Sequence, residues 1–130
     1  MALLTLPGTT ANQPTVEMPD LAPMIHRQRL VVEGTVHAPI NDEQIRSYLR
    51  ALGPLIDMVV LTEPVTHRSD RYGWAGWVHW ETSGAHFYAW ETPTLFFSVD
   101  VYACKAFDPA TVVAFTQAQL SAIQIVARSF

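Results

Sequence analysis

Residues 67–104 read HRSDRYGWAGWVHWETSGAHFYAWETPTLFFSVDVYAC, and two alternating runs within them decide the fold. Residues 74–82 and 85–90 carry a large ring or aliphatic group at nearly every second position, the period of strands with two unlike faces. Ser83 and Gly84, lying between the runs, have the composition of a two-residue hairpin turn. Such a turn sets Thr82 opposite Ala85, Glu81 opposite His86, Trp80 opposite Phe87 and His79 opposite Tyr88. Alternation sends Trp74, Val78, Trp80, Phe87 and Ala89 to one face, and Trp77, His79, Glu81, His86, Tyr88 and Trp90 to the other. The first set is core, whereas the second is a polar cluster walled by rings. Residues 95–104 form a further long strand on which Asp100, Tyr102 and Cys104 share one parity.

Outward from the hairpin, the β-branched run RLVVEGTV at residues 29–36 predicts a strand. Asn41, with Gln44 three residues on, has the form of a capping box, and Ile45, Leu49 and Leu52 give the helix behind it an apolar stripe. Gly53-Pro54 is expected to stop that helix, with a second strand over residues 56–61 ending near Pro64. On the other side, Asp108-Pro109 is a cap followed by a proline, the start of a helix reaching roughly residue 121. Residues 123–127 read either as a closing strand or as more of that helix. Strand, helix, four strands, helix and possible strand make an α+β two-layer sandwich, its mainly antiparallel sheet carrying two helices on one face. Residues 1–25, with Pro7, Pro14, Pro19 and Pro23, read as a proline-rich arm, and residues 26–130 as a single domain.

With 130 residues, 49% of them hydrophobic, the chain suits one compact core. Charged residues make up only 15% and the formal net charge is -4, so a buried face in an oligomer is expected. The seven arginines are scattered and Lys105 is the lone lysine, which leaves no basic stripe for nucleic acid. The single cysteine, Cys104, excludes an internal disulfide and suits a reducing cytoplasm. No apolar run reaches membrane-spanning length, so no membrane partner is expected. His79, Glu81 and His86 have the residue types of a metal site, but neighbours on a flat strand pair seldom converge on one ion, and no metal is expected. A carboxylate beside an imidazole can fix its tautomer, and aromatic walls can hold a planar base or a cation. The plainer reading is an ordinary cross-strand pair with tryptophans packed on a second subunit.

The spacing of these residues resembles the small prokaryotic S-adenosylmethionine decarboxylases. Their corresponding segment has the form H-R-F-x-P-x-G-x-S-G-x-x-x-x-x-E-S-H-x-x-I-H-T-W-P-E, followed by V-D-x-F-T-C. Read without gaps from His67, the histidine-arginine pair falls on His67 and Arg68, the cleavage serine on Ser83 and the tryptophan on Trp90. After one insertion, V-D falls on Val99-Asp100 and the product-protonating cysteine on Cys104. The resemblance implies the paired-sandwich fold of that family, a homodimer or higher homo-oligomer, and a polyamine-pathway decarboxylase whose pyruvoyl group is made by chain cleavage before Ser83. The departures fall on the cleavage chemistry: Thr82 stands for the glutamate before the serine, Gly84 for the histidine after it, Tyr88 for the processing histidine and Ala75 for the helper serine. Ser69 replaces the adenine-stacking phenylalanine, and Glu91 is the nearest acid to the one after W-P.

Ser83 therefore reads as a vestigial processing site in an intact chain without a cofactor. The expected function is a small-molecule enzyme of lyase or cyclase type that works without pyruvoyl. Glu81, His86, Tyr88 and Cys104 are its acid-base candidates, and Trp77, His79, Trp90 and Asp100 its substrate-binding candidates. Its substrate would be S-adenosylmethionine or an intermediate of specialised metabolism. The alternatives are the family reaction itself, with pyruvoyl at Ser83, and a non-catalytic small-molecule-binding subunit.

Overall fold

The computed structural model describes residues 13–130. Eight elements follow in chain order: β1 (Gln28–Thr35), α1 (Asp42–Leu55), β2 (Val65–Arg68), β3 (Trp74–Trp80), β4 (Ser83–Trp90), β5 (Phe96–Ala103), α2 (Pro109–Leu120) and β6 (Gln124–Ser129). The strands form one antiparallel sheet of order β2-β3-β4-β5-β1-β6. Both helices lie against one face, giving the two-layer α+β sandwich that the alternation predicts. Residues 124–129 close the sheet as an edge strand, which decides between the two readings of the C-terminal segment.

Local chemistry starts each helix. At α1 the Asn41 side chain accepts from the Gln44 N–H at 2.9 Å, and the Gln44 side chain accepts from the Asn41 N–H at 3.0 Å, a complete capping box. At α2 the Asp108 carboxylate accepts from Ala110 N at 3.0 Å, with Pro109 in the first turn where a missing N–H costs nothing. Ile45, Leu49 and Leu52 are fully buried on the sheet, as the stripe predicts. The Tyr48 hydroxyl meets Thr116 Oγ1 at 2.7 Å and joins the two helices in the core. Burial there pushes the Tyr48 phenol up to about 12.

Three local expectations are corrected. First, α1 runs through Gly53-Pro54 to Leu55. Proline forfeits a single bond in the last turn, and Ile56 N–H still reaches the Leu52 and Gly53 carbonyls. Second, residues 56–61 do not form the second strand. The chain reverses at Asp57, where φ is 58°, and only Val60 bridges to Trp80, so the strand before β3 is Val65–Arg68.

Third, the hairpin turns at Glu81-Thr82, not at Ser83-Gly84. Trp80 pairs with Ser83, Trp77 with His86 and Ala75 with Tyr88. This register places Gly76 opposite Phe87 and beneath α1, where an added Cβ would stand 2.7 Å from Ile45 Cγ2. Close helix packing thus outweighs the turn-like composition of Ser83-Gly84. Moving the turn by two residues preserves side-chain parity, so the two faces stand as expected while every cross-strand pair changes. Trp80, Val78, Phe87 and Ala89 are buried in the core, and Trp77, His79, His86, Tyr88 and Trp90 lie on the open face.

Candidate functional site

Registers across the sheet sort the open face into rows of neighbours. One row runs Val65, Trp77, His86, Asp100, Val31, Arg128. The next, toward Trp90, runs His67, Ala75, Tyr88, Ser98, Glu33, Val126. The row toward the turn holds His79, Gly84, Tyr102 and Arg29. The carboxylate beside His86 is therefore Asp100 on β5. Glu81 is removed to the turn, and the expected Glu81–His86 pair does not form.

Rings frame this face. The His86 ring stacks on Tyr88 at 6.0 Å between centroids and lies 6.4 Å from the Trp77 ring. Trp77, Tyr88, Trp90 and Tyr102 are each 36–40% exposed, so their apolar faces are unburied within the chain. A groove of about 1070 Å³ opens on this side, lined by Trp77, His79, His86, Asp100, Tyr102 and Arg29 among others. Met18, Pro19 and Asp20 form one of its walls. That segment is pinned by Arg27, which donates to Asp20 Oδ1 at 2.8 Å, to the Ala22 carbonyl at 2.7 Å and to the Ile25 carbonyl at 2.9 Å. A smaller cleft of about 90 Å³ lies beside it, between His67, Trp77, His86 and Tyr88.

Ser83 and Cys104 meet at the turn end of the hairpin. Ser83 is the first residue of β4, 5% exposed and on the core side, which corrects its assignment to the turn. Its Oγ accepts from the Cys104 N–H at 2.9 Å, and the Cys104 sulfur lies 3.8 Å from the Glu81 carbonyl. Hydroxyls of Ser83 and, secondarily, Thr82 beside the sulfur hold the Cys104 thiol below its ordinary range. Thr82, just before Ser83, has φ 54°, a left-handed conformation that costs a β-branched residue about 1–3 kcal/mol.

The candidates thus form separate groups. His86, Trp77, His79 and Asp100 converge on the large groove. Cys104, Ser83 and Glu81 gather at the turn, at the end of the same groove, which Thr82 and Ser83 also line. Tyr88 stands beside Ala75 in the small cleft, five residues from Ser83 and about 17 Å along a strand, with its side chain on the opposite face. Trp90 packs edge-on against Tyr72 at 5.4 Å. Glu91 is engaged by both terminal nitrogens of Arg68, at 2.9 and 3.2 Å; that guanidinium holds its carboxyl below the ordinary range. Among the described residues no group of three or more His, Cys, Asp or Glu could hold a metal ion, and no helix is long and apolar enough to cross a membrane.

Sequence reasoning missed Arg29 and Glu33. Both lie on β1 at the parity of the open face, Glu33 accepting from the Ser98 hydroxyl at 2.8 Å. The signal was the alternation in RLVVEGTV, whose odd positions are Arg29, Val31, Glu33 and Thr35. What could not be read was that β1 lies beside β5, between it and the edge strand β6.

Among curated proteins no sequence matches the chain significantly. In the solved structures, the crystal structure of the adenosylmethionine decarboxylase from Aquifex aeolicus superposes with a TM-score of 0.65 over 80% of this chain and 88% of that one. Identity over that match is 16%, so the likeness is one of fold. The sequence model of the S-adenosylmethionine decarboxylase family matches residues 32–130, from Val32 within β1 onward. With sheet order, helix placement and this match in agreement, the chain belongs to the S-adenosylmethionine decarboxylase family.

Proposed function

We propose that this protein is a small-molecule enzyme of the S-adenosylmethionine decarboxylase family that works as an uncleaved chain, by acid-base chemistry in the groove beside His86. The observation that carries the reading is the setting of Ser83. Its hydroxyl is buried on the helix side of the sheet and engaged by the Cys104 N–H. Gly84 brings no side chain to it, and Tyr88 and Ala75 are paired elsewhere on the opposite face. The uncleaved reading is supported by the hydrogen bonding of this hydroxyl, which among the described residues is to the Cys104 N–H and to no imidazole or carboxylate that could take its proton.

His86 and Asp100 are neighbours across the β4-β5 ladder in an aromatic-walled groove. A carboxylate at that position favours one imidazole tautomer and stabilises the imidazolium formed on proton abstraction. Trp77 and Tyr102 offer faces for a planar base or a sulfonium or ammonium cation. Cys104 supplies a second group able to exchange a proton, at the turn end of the sheet. The substrate that suits these walls is S-adenosylmethionine or a related cationic intermediate. Turnover of S-adenosylmethionine by the purified chain, followed by product analysis, tests the reading. His86→Ala is expected to lower kcat about 100-fold or more, and Ser83→Ala to keep it within about tenfold. Unchanged turnover in His86→Ala would sink the assignment.

A second reading, the pyruvoyl-dependent family reaction, is favoured by one observation: the strained φ of Thr82 lies at the Thr82-Ser83 bond, with Cys104 against Ser83. Under it, Ser83→Ala abolishes turnover. We also propose that two copies cover each other's open faces. Trp77, Tyr88, Trp90, Tyr102 and Val126 leave an apolar surface there of the kind that marks an interface. The single cysteine and the small-molecule site suit a cytoplasmic protein.

A further inference from the structure

The charged side chains of the large groove are Asp20, Arg27, Arg29 and Asp100. Asp20 and Arg27 neutralise each other at 2.8 Å, and the other terminal nitrogen of Arg27 is engaged by two carbonyls. Arg29 and Asp100 are left. Arg29 stands over the Tyr102 ring, its guanidinium carbon 5.0 Å from the centroid, and no salt bridge joins it to Asp100 or to any other carboxylate among the described residues. The register makes them diagonal neighbours: Asp100 pairs with Val31, and Arg29 with Tyr102. Diagonal positions on one strand pair are about 7 Å apart at the backbone, and no salt bridge closes between these two side chains, so a cation and an anion face one groove without neutralising each other.

This arrangement complements a group that carries both charges on adjacent atoms. From it we infer that Arg29 and Asp100 form a clamp for the α-amino-acid end of the ligand, Arg29 taking the carboxylate and Asp100 the ammonium, while Trp77 and Tyr102 take the remainder. The inference rests on the groove being the substrate site. The planar fork of arginine suits a carboxylate, and its position over Tyr102 fixes its direction. It also gives the uncleaved chain a non-covalent hold on the amino-acid group, with Asp100 serving as neighbour of both the substrate ammonium and the His86 imidazole.

Calorimetric titration of the full chain with three probes tests the clamp: S-adenosylmethionine, its decarboxylated form, and 5′-methylthioadenosine, which lacks the amino-acid end. Wild-type protein is expected to bind S-adenosylmethionine about 10- to 100-fold more tightly than the decarboxylated form. Arg29→Met removes that preference, and Arg29→Lys restores part of it. Asp100→Asn weakens both amine-bearing probes and leaves 5′-methylthioadenosine unchanged. Equal affinities for the first two probes, or an Arg29→Met variant weakened alike toward all three, would overturn the clamp. If such a result accompanied an intact His86-dependent turnover, the clamp alone would fall and the reading of the site would stand. A protein with native circular dichroism that binds none of the probes overturns both.

Discussion

At the scale of single residues, the contact between Ser83 and Cys104 has a measurable consequence. The Ser83 Oγ accepts the Cys104 N–H, and its hydroxyl, ahead of that of Thr82, holds the Cys104 thiol below its ordinary range. A thiol whose pKa is lowered by folding contributes stability that grows as pH rises through the folded value and is complete above the ordinary one of about 8.5. Alkylation by iodoacetamide should therefore reach half its maximal rate at a lower pH in the folded chain than in the urea-unfolded chain, and Ser83→Ala should move the folded-state midpoint upward. An unmoved midpoint would remove the hydroxyl from the account. Gly73 makes a second test. Its φ is 143°, and an added Cβ would collide with the Ala89 carbonyl oxygen. Gly73→Ala is expected to destabilise the fold by about 2–4 kcal/mol in urea denaturation.

At the scale of elements, parity was legible in the sequence and register was not. Alternation alone separated Trp77, His86 and Tyr88 from Trp80 and Phe87, because one buried face imposes that pattern on any strand. Which residue lies across from which depends on where the hairpin turns, and this was set by contacts distant in sequence, such as Ile45 over Gly76. A turn-like dipeptide at Ser83-Gly84 could not report them. The helix starts were legible because capping is local: Asn41→Ala, which removes one half of the box at α1, should cost about 1 kcal/mol of stability. The end of α1 was misjudged, the helix running through the expected stop to Leu55, since Gly53 and Pro54 are tolerated in a last turn that closes onto the Gly53 carbonyl. The residues of the groove were legible in part. His86 and Asp100 were both named, but their adjacency needed the β4-β5 pairing, and Arg29 needed the position of β1 beside β5.

At the scale of the whole molecule, the helices cover one face of the sheet and leave the other to the groove, the aromatic rings and an apolar rim. Such a surface is costly to expose to water, at about 25 cal/mol for each Å² of apolar area. Sedimentation equilibrium at micromolar concentration should show a dimer, and Trp90→Asp, a charge placed on the open face, should shift it toward monomer; a wild-type monomer would contradict the covered-face proposal. The account as a whole turns on the state of the backbone between Thr82 and Ser83, and the intact mass of the purified protein reads it directly. A single species at the full 14.5 kDa is predicted, whereas two fragments divided before residue 83, the second capped by a pyruvoyl group, would contradict it.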